Sequence, residues 1–275
     1  PTVDTCRYAY MLELLQTHDF PVLFVGPTGT GKSVYTAQKL AKDMPEIYTT
    51  MTIAFSAQTS ANQTQDIIDG KLDKRRKGVF GPPMGKKCII FVDDLNMPLK
   101  EEYGAQPPIE ILRQYMDHFG WYDRKETTFR QLVDIQFVAA MGPPGGGRVV
   151  ITERYSRHFN HISVTDFDQE TMVRIFSNIQ DWHFTSKGFP DNVQKMTSKI
   201  VSATMSIYRA VMKEMLPTPS KSHYLFNLRD VSRVIQGMCM TKPEQASEDD
   251  TIVRLWVHEV YRVFYDRLTT DEDRN

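Results

Sequence analysis

The chain has 275 residues, 41% hydrophobic and 24% charged, an ordinary globular composition long enough for one large domain or about two smaller ones. Its formal net charge of −1 leaves no bulk attraction for nucleic acid or an anionic membrane, so either partner would need a local patch. Three cysteines, Cys6, Cys88 and Cys239, lie far apart and are odd in number, which predicts reduced thiols in a cytosol-like compartment. The opening PTVDTCRYAY has no signal-peptide pattern, no apolar run approaches the roughly 18 residues of a membrane span, and the start without Met suggests a piece of something longer. Short apolar strands then alternate with helical stretches: PVLFV (Pro21 to Val25), TIAF (Thr52 to Phe55), CIIFV (Cys88 to Val92), IQFVAAM (Ile135 to Met141) and HISV (His161 to Val164). Helical patterns follow the first strand (SVYTAQKLAKDM) and the third (IEILRQYMDHF), so residues 1–165 read as a parallel five-stranded α/β sheet flanked by helices. From 166 to 275 the pattern is helical only. Met196, Ile200, Ala203, Ile207 and Val211 form one predicted packing stripe, Ile252, Trp256, Val260 and Phe264 another, and the polar tail DEDRN reads as frayed.

Chemistry concentrates at two strand ends. Gly26-Pro27-Thr28-Gly29-Thr30-Gly31-Lys32-Ser33 fits G-x-x-x-x-G-K-[ST] and stands between a strand and a helix that continues through Val34, the context a phosphate loop requires. Its glycines allow backbone N–H groups to converge on phosphate oxygens, Lys32 neutralises the outer phosphates and Ser33 ligates Mg²⁺. In CIIFVDDLNMP the buried run ends on Asp93, the natural Walker B carboxylate for the metal, followed by Asp94. Asp94 either polarises the attacking water, where many hydrolases of this class use the longer Glu, or is structural. Tight nucleotide binding with slow turnover is the expectation.

FVDDLNMP, KRRKGVFGPP, AMGPPGGGR and ERYSRHF together resemble a AAA+ module of a dynein heavy chain, most closely the third module of axonemal dyneins, over essentially the whole chain. The resemblance implies a P-loop α/β subdomain over 1–165, a small helical lid over 166–275, and ATP or ADP with Mg²⁺ between them. It implies that PTVDTCRY packs against adenine with Val3 and Thr5 as base contacts. Arg154 in TERYSRHF is implied as a finger toward the neighbouring module's site, with Arg157 a second candidate. Arg229, just inside a helix start marked by Asn227 and Asp230, is implied as sensor 2. The polar sensor that ends the fourth strand in this family is replaced by Gly142, which casts further doubt on efficient hydrolysis.

Lys71, Lys74, Arg75, Arg76, Lys77, Lys86 and Lys87 flank the turn-rich GVFGPPMG and read as a solvated hairpin rather than a nucleic-acid patch, with GWYDRKETTFRQ a second insertion. In dyneins such insertions contact neighbouring modules or the linker. No His or Cys spacing suggests zinc. The resulting expectation is a regulatory, weakly active ATPase module of a ciliary motor ring in the cytoplasm and axoneme, coupling nucleotide state to the angle between subdomains. Its partners would be neighbouring modules of the same heavy chain, with no direct nucleic-acid or membrane contact and microtubules reached only through other parts of the chain. The alternatives are a non-cycling module holding ADP, a P-loop phosphotransferase and a DNA-remodelling ATPase.

Overall fold

In the computed structural model, which describes residues 2–145 and 147–274, the strands are β1 Val22–Val25, β2 Tyr48–Ala54, β3 Asp73–Arg76, β4 Val79–Gly81, β5 Lys87–Asp93, β6 Gly120–Tyr122, β7 Phe129–Leu132, β8 Ile135–Met141 and β9 Asn160–Ser163. Five of them form a parallel sheet in the order β2-β5-β8-β1-β9, as the alternating pattern predicted. Because successive side chains point to opposite faces, each central strand feeds two cores. Leu23, Ile90, Val92, Phe137 and Ala139 face one core, closed by Ile68 of helix Ala61–Asp69 and Leu112 of helix Pro107–His118. Val22, Phe24, Ile89, Phe91, Val138 and Ala140 face the other, closed by Leu12 of helix Val3–Thr17 and Leu40 of helix Lys32–Lys42. In chain order these helices are α1 (Val3–Thr17), α2 (Lys32–Lys42), α3 (Ala61–Asp69) and α4 (Pro107–His118), followed by the short α5 (Glu153–Ser156).

Helix α1 was not foreseen. A capping box between Thr2 and Thr5 starts it, and Tyr8, Leu12 and Leu15 pack beneath the sheet. Val3, Tyr10, Met11 and Leu14 are exposed, so its apolar residues surround the axis and present no single stripe. Edge strand β2 starts four residues before the predicted TIAF, at Tyr48, because register with Lys87–Ile90 recruits its threonine-rich beginning.

The two insertions are not independent. β3 and β4 form the predicted hairpin, β6 and β7 a second one, and β4 pairs in parallel with β7 to give a four-stranded sheet, order β3-β4-β7-β6. The Arg130 guanidinium lies 4.7 Å from the Phe80 ring centroid, and it pairs with Asp69 and Asp123, tying the hairpins to each other and to α3. Trp121, fully buried, donates its indole N–H to Asp69 at 3.0 Å. Burial pushes the Asp69 carboxyl up against the opposing pull of that bond and of Arg130. Gly120 admits no side chain, since a Cβ would stand 2.2 Å from the Arg130 carbonyl oxygen. Within the basic run, Arg75 is half-buried against Asp134 at 3.1 Å and Lys87 pairs with Asp19 at 2.7 Å. Lys71, Lys74, Arg76 and Lys77 are exposed.

Contacts divide the chain into two compact units, Pro1–Thr165 and Asp166–Asn275. The second is helical: α6 Gln169–Lys187, α7 Asp191–Gln194, α8 Thr197–Glu214, α9 Leu228–Met238, α10 Asp249–Val263 and α11 Asp271–Arg274. Asp168 caps α6 by accepting the Thr171 N–H at 2.6 Å, and hydrogen bonding from Thr171 holds its carboxyl below the usual range. On α8 Ile200 is buried and Met196, Ile207 and Val211 pack half-buried against the cores, as the stripe predicted, with Thr197, Val201, Thr204 and Met205 buried beside them. Thr204 can be buried because its hydroxyl donates to the Ile200 carbonyl at 2.8 Å and accepts the Trp256 indole N–H at 2.9 Å.

The tail expected to fray is instead anchored, although Asn275 lies outside the described residues. Asp273 accepts from Lys221, from Thr270 at 2.6 Å and from Tyr224 at 2.7 Å, and the Lys221 bond, then those of Thr270 and Tyr224, hold its carboxyl at about 2. A depressed carboxylate stabilises the fold fully above its unfolded value, about 3.9, and loses that contribution as pH falls through the folded one. The backbone of Asp271–Arg274 is therefore expected to stay ordered, with high NMR order parameters, at pH 4 and above in the native chain, and to become mobile even at neutral pH in Asp273→Asn.

Candidate functional site

The loop between β1 and α2 has the backbone of a phosphate cradle. Gly29 and Gly31 adopt positive φ (92° and 80°), which β-carbon residues resist. Gly26 must be bare, because a Cβ there would lie 2.3 Å from the carbonyl oxygen of Val164, the residue after β9. Gly31 is the N-cap of α2 and offers no side-chain acceptor, and the first turn of that helix carries no acidic residue. A helix start with neither a side-chain cap nor a carboxylate is the setting that suits an anion. Lys32 is buried, and its ammonium donates to the carbonyls of Gly26 at 2.7 Å and Pro27 at 2.5 Å, while Thr30 also donates to Pro27 at 3.0 Å. Pro27, Thr28 and Ser33 are half-buried, and Val34, 71% exposed, points away from the core.

Asp93, at the end of β5, is brought to this loop from 60 residues away: Ser33 Oγ donates to its Oδ1 at 2.8 Å. The Asp94 N–H donates to the same oxygen at 3.0 Å, and Asp94 itself has φ 51°, a left-handed turn that Asp tolerates and that carries the chain off the strand. Its half-exposed carboxylate lies 3.9 Å from the Arg148 guanidinium. Gly142 follows β8, between the two: Gly26 N–H donates to the Met141 carbonyl and Leu95 N–H to that of Ala140. Gly146, in the glycine run after it, lies outside the described residues. Sequence reasoning passed over Asn96 and Arg148. Asn96 is fully buried and donates to the Gly142 carbonyl at 2.8 Å, fixing the strand end. The signal for Arg148 was a glycine run ending on a lone cation after the fourth strand.

Arg154, on α5, is exposed and makes no ion pair among the described residues, whereas its buried neighbour Tyr155 anchors the helix. Arg157 is committed within the chain, donating to Asp117 at 2.8 Å. Burial pulls the Asp117 carboxyl up, but bonds from Arg157 and Arg113 outweigh it and hold the group below the usual range. Val3 is exposed, and the Thr5 hydroxyl is occupied by the α1 cap, accepting from Thr2 N–H at 2.7 Å and donating to the Thr2 carbonyl at 2.8 Å. In the helical unit Arg229 stands exposed on the first turn of α9, whose capping box joins Asn227 and Asp230.

A phosphate loop after β1, a carboxylate at the end of β5 with β8 between them, and a separate helical unit define a P-loop module of the AAA+ class. Sequence comparison narrows this. Residues 1–167 match the model described as P-loop containing dynein motor region and residues 183–274 that of the dynein heavy chain ATPase lid domain, and the chain belongs to the dynein motor region family. It is 56% identical over 276 residues to dynein axonemal heavy chain 12 of Rattus norvegicus, covering 100% of this chain and 9% of that protein. It is 56% identical over 274 residues to dynein axonemal heavy chain 3 of Mus musculus (100% and 7%) and 54% over 285 residues to dynein axonemal heavy chain 1 of Rattus norvegicus (100% and 6%). The chain thus spans less than a tenth of the length of the curated relatives it matches.

Proposed function

We propose that this chain is a Mg²⁺-dependent ATP- or ADP-binding module of an axonemal dynein motor ring, the third AAA+ module, with regulatory function and slow hydrolysis. The observation that carries the reading is the 2.8 Å contact between Ser33 and Asp93 beside a glycine loop and an uncapped helix start. A hydroxyl and one carboxylate are the sparse, hard oxygen set that suits Mg²⁺, which takes its other positions from phosphates and water. Among the described residues no group of three or more His, Cys, Asp or Glu offers a competing all-protein metal cage. Bound Mg·ATP supplies the transferable phosphoryl group and neutralises its charge. The chain's part is positional: N–H groups from Gly29 to Ser33 and the Lys32 ammonium would hold the phosphates, and Ser33 with Asp93 the metal.

Slow turnover is supported by two substitutions of kind. Asp94 is one methylene shorter than Glu, and a misplaced general base loses much of a contribution of about 10²–10⁴-fold. Gly142 brings no side-chain donor to the strand end. Residues 1–165 are proposed as the nucleotide-binding subdomain and 166–275 as the lid. Arg154, exposed and unpaired among the described residues, is proposed to serve the neighbouring module of the same heavy chain, and Arg229 to report nucleotide state. The names of the relatives support an axonemal, cytoskeletal location, and no helix among the described residues is long and apolar enough to cross a membrane.

Titration calorimetry tests the reading. Mg²⁺ is expected to raise the nucleotide affinity of the native chain by about ten-fold or more, and Asp93→Asn to abolish that gain while retaining metal-free binding. Absence of any nucleotide uptake, with or without Mg²⁺, overturns it. Nucleotide released on denaturation identifies the resident species.

A further inference from the structure

Gly142 is bare for want of space, not for conformational reasons. Its backbone is outside the left-handed region, yet a Cβ would meet Arg148 Nε at 2.7 Å, Cδ at 2.8 Å and Cζ at 3.0 Å. The volume next to the end of β8 therefore belongs to the Arg148 side chain, which is only 22% exposed. The loop holds that side chain from both ends. Gly145 and Arg148 exchange two backbone hydrogen bonds at 3.1 Å, and the next residue, Val149, donates to the carbonyl of buried Asn96 at 3.0 Å.

We propose that the Arg148 guanidinium recognises the outermost phosphate of a bound nucleoside triphosphate and so sets the preference for triphosphate over diphosphate. The inference rests on the nucleotide-binding reading of the loop at Gly26–Ser33. Register supports it: Val25 lies opposite Met141 on the adjacent strand, so the residue that follows Met141 and the phosphate loop leave the sheet side by side. On the other side, Val92 lies opposite Ala139, which brings Asp93 and Asp94 to the same end. A cation packed against Gly142 is thus placed between the phosphate loop and the carboxylate pair. Among the described residues its guanidinium makes one loose ion pair and no side-chain hydrogen bond. The Asp94 carboxylate at 3.9 Å is beyond hydrogen-bond reach, and the buried Nε has no acceptor among the described residues. A planar, permanently charged fork suits a terminal phosphate, whose oxygens offer acceptors and extra charge that a diphosphate bound at the same loop does not place there.

Calorimetric titration of the 275-residue chain with Mg·ADP and with a non-hydrolysable Mg·ATP analogue tests the proposal. Arg148→Gln is expected to lower affinity for the triphosphate by about 10- to 100-fold and leave ADP affinity unchanged. Gly142→Ala, which leaves the arginine present but obliges its side chain to shift, is expected to give a smaller loss that is again confined to the triphosphate. Unchanged affinities, or an equal loss of both ligands, overturn the proposal, the latter assigning Arg148 to loop geometry. If the native chain binds neither ligand, the nucleotide reading itself fails and takes this inference with it. If it binds both and the variants keep the native ratio, only the inference fails.

Discussion

Lys32→Ala is expected to lower the affinity for ADP and for an ATP analogue by about 10²-fold or more, while the melting transition of the chain is retained. The argument is one of charge in a confined place. The Lys32 side chain is buried at the base of α2, and its ammonium is held by the Gly26 and Pro27 carbonyls at the mouth of the loop. Two charge-assisted hydrogen bonds to phosphate, each about 1.5–3 kcal/mol, have no substitute once the ammonium is removed, because an alanine leaves only the loop N–H groups and the helix terminus. Those groups contribute a weaker, distributed field. Fluorescence or calorimetric titration measures the loss directly. Unaltered affinity in a folded variant would show that the phosphates are held elsewhere and would remove the reason for assigning Ser33 and Asp93 to the metal.

Trp121→Ala is expected to destabilise the α/β unit by about 3–5 kcal/mol. Trp121 is the largest fully buried side chain, it meets Tyr115 edge-on at 6.3 Å, and its N–H is directed to Asp69. Truncation removes apolar contact, opens a cavity between α4 and the accessory sheet, and takes the indole hydrogen bond from Asp69, leaving Arg130 to face a carboxyl that burial already raises. Trp121→Phe, which keeps most of the volume, is expected to lose only about 1–3 kcal/mol, separating the hydrogen bond from the packing. Urea unfolding followed by near-ultraviolet circular dichroism measures both. The transition of the helical unit, which contains Trp182 and Trp256, serves as an internal control. A cost below about 1 kcal/mol for the alanine variant would mean that Trp121 is not what attaches the accessory sheet.

The linkage in the tail and the metal dependence of Asp93 are smaller effects, but they probe features of different legibility. Asp93 could be assigned from the sequence because a continuous apolar run ending on a carboxylate announces a buried strand and its carboxyl end together. Asp273 could not, because a polar terminal segment looks the same whether free or clamped, and its clamp consists of Lys221 and Tyr224, about 50 residues earlier. The same contrast separates the two arginines of ERYSRHF. Both are exposed, and only the ion pair with Asp117 shows that Arg157 is engaged while Arg154 has no ion pair among the described residues.

By itself the sequence determined the parallel sheet, its five strands, the phosphate loop and the aspartate at the end of the third predicted strand, since each is written in contiguous residues whose period or spacing has one physical meaning. Tertiary structure alone decided that two insertions separated by a strand and a helix share one sheet, that α1 closes a core despite lacking an apolar stripe, and that Arg148 fills the place where Gly142 has no side chain. These depend on where separate elements come to rest. Periodicity along a segment reports how that segment is buried, but not which distant side chain occupies the space beside it.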